Sequence, residues 1–305
     1  MMSSTSDQIA DNLMLSRGNT FYSISSVVKA SNGLSYQVGE QLNAGGNAVV
    51  HECIETLSGD SYAIKFQVEL RDNRRERFEQ EVVLLSSLND PHIISFVTNG
   101  SVEGKKHIRD GNSRNRVRHK PLNKLVDIPF VVLLKASENL AEYIKNRSNI
   151  PTASYLGQFL GLANALVKVN SVALHRDIKP ENVLVVGDVW AISDFGLCDV
   201  INGGQDLSRD NERIGPIFWM SPEALNKQLG NSDEITQASD VFQLASVFWY
   251  AACGRHPTGI VEERDWKGPL ELFPVIKKAL LHTHQQRFST SAEFRSALTE
   301  AIGLD

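Results

Sequence analysis

The segment Val241–Cys253 constrains the fold of this chain most, because it is apolar on nearly every side of a predicted helix. A helix that is hydrophobic all round has to be surrounded by other elements of the fold. The segment is also too short to cross a bilayer. Helical patterns dominate from Leu140 onward, so we expect a large helical region built around this buried helix.

The first third of the chain has strand-like patterns instead. Two strand-like runs within Phe21–Leu42 are separated by Asn32-Gly33, a dipeptide typical of tight hairpin turns. A predicted helix, Arg75–Leu88, follows the next pair of strand-like runs, and apolar runs at Ile93–Thr98 and Phe130–Leu134 add two further strands. The sequence therefore predicts an α+β fold, in which a small antiparallel sheet with one main helix precedes a larger helical region.

These patterns divide the chain into parts. Residues 1–20 are predicted to be a flexible N-terminal tail. Residues 21–135 form the sheet-rich part, and residues 136–305 form the helical part. Within the sheet-rich part, residues 101–127 are basic and show no periodicity. We interpret them as a solvated surface insertion, with docking of an acidic partner as the alternative.

Composition and charge exclude some broad classes of function. The net charge is −5, so we expect no nucleic-acid partner. Residues 1–20 lack the basic and apolar regions of a signal peptide, and no apolar run is long enough for a membrane span, so we expect no membrane association. The three cysteines, Cys53, Cys198 and Cys253, are far apart and lack metal-type spacing. We therefore predict free thiols and a cytoplasmic location.

Two short motifs in the helical part carry the strongest functional signal. HRDIKPEN spans His175–Asn182, and DFG follows a strand-like run at Asp194–Gly196. In this order and at this distance, the two motifs resemble the catalytic loop and metal-binding motif of the protein kinase family. YAIK, Tyr62–Lys65, lies on a predicted strand, where that family carries its ATP-binding lysine. The resemblance covers about residues 35–298, nearly the whole chain.

Glu81 is the predicted partner of that lysine. Phe78, Glu81, Leu85 and Leu88 recur at helical spacing, so Glu81 lies on the apolar side of its helix. A carboxylate on that side needs a cation nearby, and Lys65 is the obvious one.

The resemblance implies a bilobal fold and transfer of the γ-phosphate of ATP to a protein hydroxyl. In the roles it implies, Asp177 accepts or orients the proton of the attacking hydroxyl, and Lys179 brings positive charge to the γ-phosphate. Asn182 and Asp194 hold Mg²⁺ through oxygen ligands, with Mn²⁺ as the alternative metal. The implied ATP-binding residues are Leu42, Asn43, Gly45, Ala48, Val50, Ala63, Lys65, Leu134, Ala136 and Leu184.

The glycine-rich loop and the hinge of the family also have counterparts here. LNAGGNAVV, Leu42–Val50, takes the place of the loop that covers the ATP phosphates. Its three glycine positions are occupied by Asn43, Gly45 and Ala48. The hinge falls on Leu134–Ala136, with Leu133 as gatekeeper.

The accepting hydroxyl is predicted from Lys179, which resembles serine/threonine kinases. Pro216, in contrast, stands in a segment that resembles tyrosine kinases, so dual or tyrosine specificity stays open. Two other classes are alternatives: a pseudokinase scaffold, and a small-molecule kinase of the aminoglycoside-phosphotransferase type. We expect protein substrates, with the kinase itself among them.

Three more positions match the family pattern. Asp240 resembles the aspartate that anchors the catalytic-loop backbone, and Arg287 resembles the arginine that pairs with the glutamate at position 223. Arg176 resembles the arginine that binds a phosphate on the activation segment. Its predicted partners are phosphorylated Ser208 and, as the alternative, the nearby acids Asp206, Asp210 and Glu212.

Overall fold

The computed structural model describes residues 12–17, 20–44, 48–110, 118–147, 150–201 and 218–303. The chain divides into two compact units, the first made of Met1–Val82 and Phe96–Lys135 and the second of Val83–Ser95 and Ala136–Asp305. Helix α1, Asp72–Ser87, contributes residues to both units. Within the described ranges, no helix combines the length and the apolar composition that crossing a membrane requires.

The first unit contains an eight-stranded sheet in which every neighbouring pair is antiparallel. In chain order its strands are β1 (Asn12–Arg17), β2 (Thr20–Ser25), β3 (Val27–Lys29), β4 (Ser35–Ala44), β5 (Ala48–Glu55), β6 (Ser61–Gln67), β7 (Phe96–Asp110) and β8 (Arg118–Leu134). Their order across the sheet is β1-β2-β7-β8-β6-β5-β4-β3. The predicted turn at Asn32-Gly33 joins β3 to β4, with Gly33 at φ 85°, a left-handed value that glycine adopts readily.

One face of this sheet carries the apolar core of the first unit. Successive strand residues point to opposite faces, so alternate positions of β5 and β6 share a side. Val49, Cys53, Ile64 and Phe66 are all fully buried there. Gly100 of β7 leaves room for the edge of the Phe130 ring, because a Cβ at this position would come within 2.6 Å of the ring.

The prediction of a flexible tail over residues 1–20 is wrong for Asn12–Arg17. These residues form β1, which pairs with β2 along its whole length. Leu15 is fully buried within the apolar cluster that also contains Val49 and Phe66. Burial of this leucine stabilises a strand that the polar surroundings in the sequence did not indicate. Residues 1–11, 18 and 19 lie outside the described ranges.

The basic insertion consists of paired strands over most of its length. The register of β7 with β8 runs from Phe96 opposite Leu133 to Asp110 opposite Arg118, so most of residues 101–127 lie in paired strands. Residues 111–117 lie outside the described ranges. Main-chain hydrogen bonds hold such a hairpin together without apolar alternation, which explains why the sequence shows no periodicity here.

The second unit is mainly helical. Its helices are α2 (Leu140–Lys145), α3 (Thr152–Asn170), α4 (Pro222–Gln228), α5 (Gln237–Cys253), α6 (Phe273–Ala279) and α7 (Ser291–Ile302). Its short strands are β9 (Glu138–Asn139), β10 (Ala173–Leu174), β11 (Val183–Val186), β12 (Val189–Ile192) and β13 (Asp199–Val200). Short 3₁₀ turns complete it at Pro180–Asn182, Glu263–Asp265, Leu270–Leu272 and His284–Gln286.

Helix α5 is the buried helix that the sequence predicts. Thr236 caps its first turn, and Gly254 ends it with a left-handed φ of 70°. The Phe248 ring stacks on Phe159 of α3, with ring centroids 4.0 Å apart. The helix is therefore enclosed by its neighbours in the second unit and provides a rigid base for loops that bond to it.

Candidate active site

Lys65 and Glu81 form a buried ion pair in the first unit. Lys65 lies on β6 and Glu81 on α1, and the Nζ and Oε1 atoms are 2.6 Å apart. The side chain of Glu81 is only 3% exposed, whereas Glu76 and Glu79 on the same helix face solvent. The buried carboxylate thus has the cation that the apolar helix face requires.

The predicted adenine-contacting residues of the first unit share the face of the sheet that carries Lys65. Val50 is the register partner of Lys65, and Ala63 is the partner of Leu133. Directly opposed residues in an antiparallel ladder project to one side, so these groups line a single surface. All four are partly exposed, unlike the fully buried residues of the opposite face.

The remaining predicted ATP-binding residues are placed as follows. Leu42 is 48% exposed at the end of β4, and Leu134 is 37% exposed at the end of β8. Ala48 is buried at the start of β5, and Asn43 is the register partner of Val50. Gly45 lies outside the described residues. In the second unit, Leu184 lies on β11 and Ala136 precedes β9, both of them partly exposed.

Asp177 is the centre of the second unit's polar cluster. Lys179 Nζ lies 3.1 and 3.0 Å from the two carboxylate oxygens of Asp177. Asn182 donates its amide to one of these oxygens at 2.7 Å and to the Asp177 carbonyl at 2.9 Å. Burial raises the pKa of Asp177, and the positive charge of Lys179 partly offsets the rise. A carboxyl group with a raised pKa is a better proton acceptor.

Asn182 and Asp194 lie at the same end of one hairpin. Asn182 immediately precedes β11 and Asp194 follows β12, and these strands pair with Val183 opposite Ile192. Ser193 fixes this end of the hairpin, because its backbone N–H and its hydroxyl both donate to the Asn182 carbonyl. The Asn182 side-chain nitrogen donates to Asp177, and the amide oxygen is the atom of this side chain that can bind a cation. Together with the Asp194 carboxylate it is the hard oxygen donor set that Mg²⁺ prefers.

Two residues of α5 hold the loop that carries Asp177. Asp240 accepts the backbone N–H groups of His175 and Arg176, both at 2.8 Å. Arg176 has a left-handed φ of 65°, a conformation that a non-glycine residue keeps only when its surroundings enforce it. Gln243 also bonds to this loop, which sequence reasoning missed. The signal available was its position three residues after Asp240, on the same side of the helix.

The side chain of Arg176 bonds to the segment that follows DFG. Its Nε donates to the Leu197 carbonyl at 2.8 Å, and its Nη1 lies 3.3 Å from Asp199 of β13. Asp199 was not among the partners that the sequence indicates. Those partners, Ser208 and the acids at 206, 210 and 212, lie outside the described residues.

Glu223 and Arg287 form a bidentate ion pair, with both nitrogen–oxygen distances at 2.8 Å. The Ser239 hydroxyl donates a third bond to Glu223 at 2.7 Å. Burial alone would raise the pKa of Glu223, but the hydrogen bonds and charge of Arg287 outweigh it and lower that pKa. Trp219 packs edge-on against Tyr250, with ring centroids 5.5 Å apart. Pro216 lies outside the described residues.

The Lys65–Glu81 pair of the first unit and the Asp177 loop of the second unit are two features that the sequence motifs predict for a protein kinase domain. A protein-family model described as "Protein kinase domain" matches residues 36–301. The chain belongs to the protein kinase family, as the motifs predict. The predicted fold class is confirmed as well, because the family has a bilobal fold and the structure shows the antiparallel sheet with one helix followed by the helical region.

Several curated proteins are similar to the chain. The serine/threonine-protein kinase AfsK of Streptomyces griseus is 30% identical over 226 residues, which are 73% of this chain and 24% of that protein. The probable serine/threonine-protein kinase PknB of Bifidobacterium longum is 23% identical over 87% of this chain and 39% of its own length. PknE of Mycobacterium tuberculosis is 22% identical over 73% of this chain and 35% of its own length. The matched region thus spans only 24–39% of the length of these relatives.

Proposed function

We propose that this protein is a serine/threonine kinase, which transfers the γ-phosphate of ATP to hydroxyl groups of proteins and of itself. The observation that carries this proposal is the contact of Lys179 with both carboxylate oxygens of Asp177. It puts a fixed positive charge beside the proton acceptor, where an attacking hydroxyl and a transferred phosphate would meet. The relatives named above are serine/threonine kinases by name, which supports the same specificity.

The bound ATP and its divalent metal would supply the phosphoryl group and neutralise its charge. Mg²⁺ is the metal we propose, with Mn²⁺ as the alternative, held by Asn182 and Asp194. Lys65 would hold the α- and β-phosphates and is itself held by Glu81. Asp177 would orient the accepting hydroxyl and take its proton. The apolar side chains at 42, 50, 63 and 184 would contact adenine, and residues 134–136 would form the hinge.

The test is phosphate transfer by the purified protein from radiolabelled ATP with Mg²⁺, followed by phosphoamino-acid analysis. We expect phosphoserine and phosphothreonine, and a fall of the transfer rate to a small residual value in Asp177→Asn. If the wild-type protein transfers no phosphate to any protein, itself included, the pseudokinase alternative replaces the proposal. Transfer only to small molecules would support the aminoglycoside-type alternative.

Dual or tyrosine specificity is the second candidate, and Pro216 is the feature that favours it. Phosphotyrosine alone in the same analysis would overturn serine/threonine specificity, whereas phosphotyrosine beside phosphoserine would establish dual specificity. Pro216→Thr, which restores the hydroxyl typical of serine/threonine kinases, should then reduce the phosphotyrosine share.

We also propose that the basic hairpin of β7 and β8 binds an acidic partner, since Lys105 and Lys124 project from it as exposed cations. The test measures binding of a poly-glutamate peptide to the protein. Binding that weakens with added salt and in the Lys105→Glu/Lys124→Glu double variant would support the proposal, and binding that does not depend on salt would reject it.

The cytoplasmic location likewise stays a proposal, supported by three free cysteines.

A further inference from the structure

Gln243 bonds to the catalytic loop on both sides of Asp177. Its Oε1 accepts the backbone N–H of Ile178 at 3.0 Å, and its Nε2 donates to the carbonyl of Arg176 at 3.2 Å. The residue is 3% exposed on α5, one turn after Asp240. One amide side chain therefore contacts both peptide groups that flank Asp177.

Those two peptide groups set the backbone angles of Asp177. The Arg176 carbonyl belongs to the peptide that precedes Asp177, and the Ile178 N–H belongs to the peptide that follows it. Because each peptide group is planar, fixing both leaves little freedom in φ and ψ of the residue between them. The direction of the Cα–Cβ bond, and hence of the carboxylate, follows from those angles.

The hydrogen bonds of Asp240 alone do not fix the part of the catalytic loop that follows Arg176. Asp240 fixes the N–H groups of His175 and Arg176, which lie before Asp177, but no described hydrogen bond of Asp240 reaches beyond Arg176. Arg176 has a left-handed φ of 65°, a conformation that is strained for arginine. Asp240 thus bonds to the two residues before Asp177, and Gln243 bonds to the peptide groups on either side of Asp177.

Gln243 is a polar side chain on a helix whose neighbouring apolar residues are buried. Val241, Leu244 and Val247 on the same helix are fully buried. An amide in such a place is costly unless its donor and acceptor are both satisfied, and here both go to the catalytic loop. A leucine or methionine at this position would leave the Ile178 N–H and the Arg176 carbonyl without this partner, so the amide serves the catalytic loop.

We propose that Gln243 is a positioning residue for phosphoryl transfer, which orients the carboxylate of Asp177 through the two adjacent peptide groups. The inference rests on the proposed kinase function. Gln243 touches neither substrate nor ATP in this role. Its loss should therefore slow the chemical step and leave nucleotide binding intact.

The experiment compares Gln243→Met, which keeps the length of the side chain and removes both hydrogen bonds, with Ser246→Ala. Ser246 is a matched control, since it is equally buried on α5 but donates to the Phe242 carbonyl of its own helix. We expect kcat of Gln243→Met to fall on the order of 100-fold while KM for ATP changes less than about twofold. Ser246→Ala should keep the wild-type kcat.

A double variant tests whether Gln243 acts through Asp177. In an Asp177→Asn background, Gln243→Met should lower the residual rate by less than about twofold, because residues that act as one unit are not additive. An equal loss in both backgrounds would show a general structural role and overturn the proposal. So would a kcat of Gln243→Met within about twofold of wild type.

Two measures keep the test decisive. If Gln243→Met does not fold, Gln243→Glu replaces it, since that variant keeps size and polarity but loses the donor to the Arg176 carbonyl. An unchanged kcat in Gln243→Glu would equally overturn the proposal. Absence of turnover in the wild-type protein would instead contradict the kinase function itself, so the two failures are distinguishable.

Discussion

Arg176 of the catalytic loop pairs with Asp199 of β13, with the Nη1 and Oδ2 atoms 3.3 Å apart. The side chain of Arg176 is 6% exposed, and a buried guanidinium needs a carboxylate or a phosphate nearby. Asp199 is part of the folded chain, so the arginine has an acid partner in the unmodified protein.

Asp199→Asn is therefore expected to lower kcat about tenfold, because the neutral amide holds Arg176 more weakly and loosens the adjacent Asp177. Wild-type protein treated with a phosphatase, and shown by mass spectrometry to be unphosphorylated, should keep most of its activity. Ser208→Ala should do the same. Asp188→Asn, in an exposed turn of the same unit, is the control. Full activity of Asp199→Asn together with inactive dephosphorylated protein would reverse this interpretation.

Glu81→Gln should lower kcat/KM for ATP on the order of 10- to 100-fold, because Lys65 loses the charge that fixes it. Glu79→Gln is the matched control, since Glu79 lies on the same helix with a side chain 62% exposed. Exposed ion pairs contribute little, so this control should keep wild-type kinetics. Equal losses in both variants would show that helix charge, rather than the Lys65 contact, is responsible.

Arg287→Ala should lower the free energy of unfolding by about 3–5 kcal/mol, because it leaves the buried Glu223 carboxylate without a partner. The lowered pKa of Glu223 also predicts a pH dependence. The ionised form stabilises the folded protein above the ordinary glutamate pKa, and this stabilisation is lost as pH falls through the lower folded-state pKa. Denaturant unfolding between pH 7 and 3 checks both effects. A Glu223→Gln/Arg287→Met double variant should recover part of the loss at pH 7, and a double variant less stable than Arg287→Ala would contradict this reasoning.

We expect a second effect of pH on folding stability, which comes from His51. Burial lowers its pKa, and its Nδ1–H donates to the Gly39 carbonyl at 3.0 Å. The unfolded chain binds a proton near the ordinary histidine pKa of 6.5, before the folded chain does, so stability falls as pH drops below that value. His51→Asn keeps a donor for Gly39 but does not titrate. The stability difference between wild type and variant should therefore change in favour of the variant from pH 7.5 to pH 5. Parallel pH curves would contradict the assignment.

Local sequence patterns predicted the position of a residue correctly where that position depends only on the residue's own helix or strand. The spacing of Phe78, Glu81 and Leu85 placed the glutamate on the buried side of α1, and the structure pairs it with Lys65. The apolar run at Val241–Cys253 predicted a buried helix because burial on all sides leaves no room for polar periodicity. The catalytic motif was readable for the same reason, since its residues are contiguous.

Local sequence patterns did not predict contacts between residues that are distant in sequence. Leu15 is buried by strands that are distant in sequence, so a short polar segment became β1 rather than a tail. Asp199 and Gln243 each reach a loop some twenty or more residues away in sequence, and neither stands in a motif. Their roles depend on which backbone groups face them after folding.

The sequence by itself determined the family, the fold class and the identity of the polar groups available for phosphoryl transfer, because these follow from contiguous motifs and from helix and strand periodicity. Only the tertiary structure decided how Asp177 is held and which acid partners Arg176. Those contacts depend on hydrogen-bond geometry between distant segments, which becomes defined only when α5, the catalytic loop and β13 pack together.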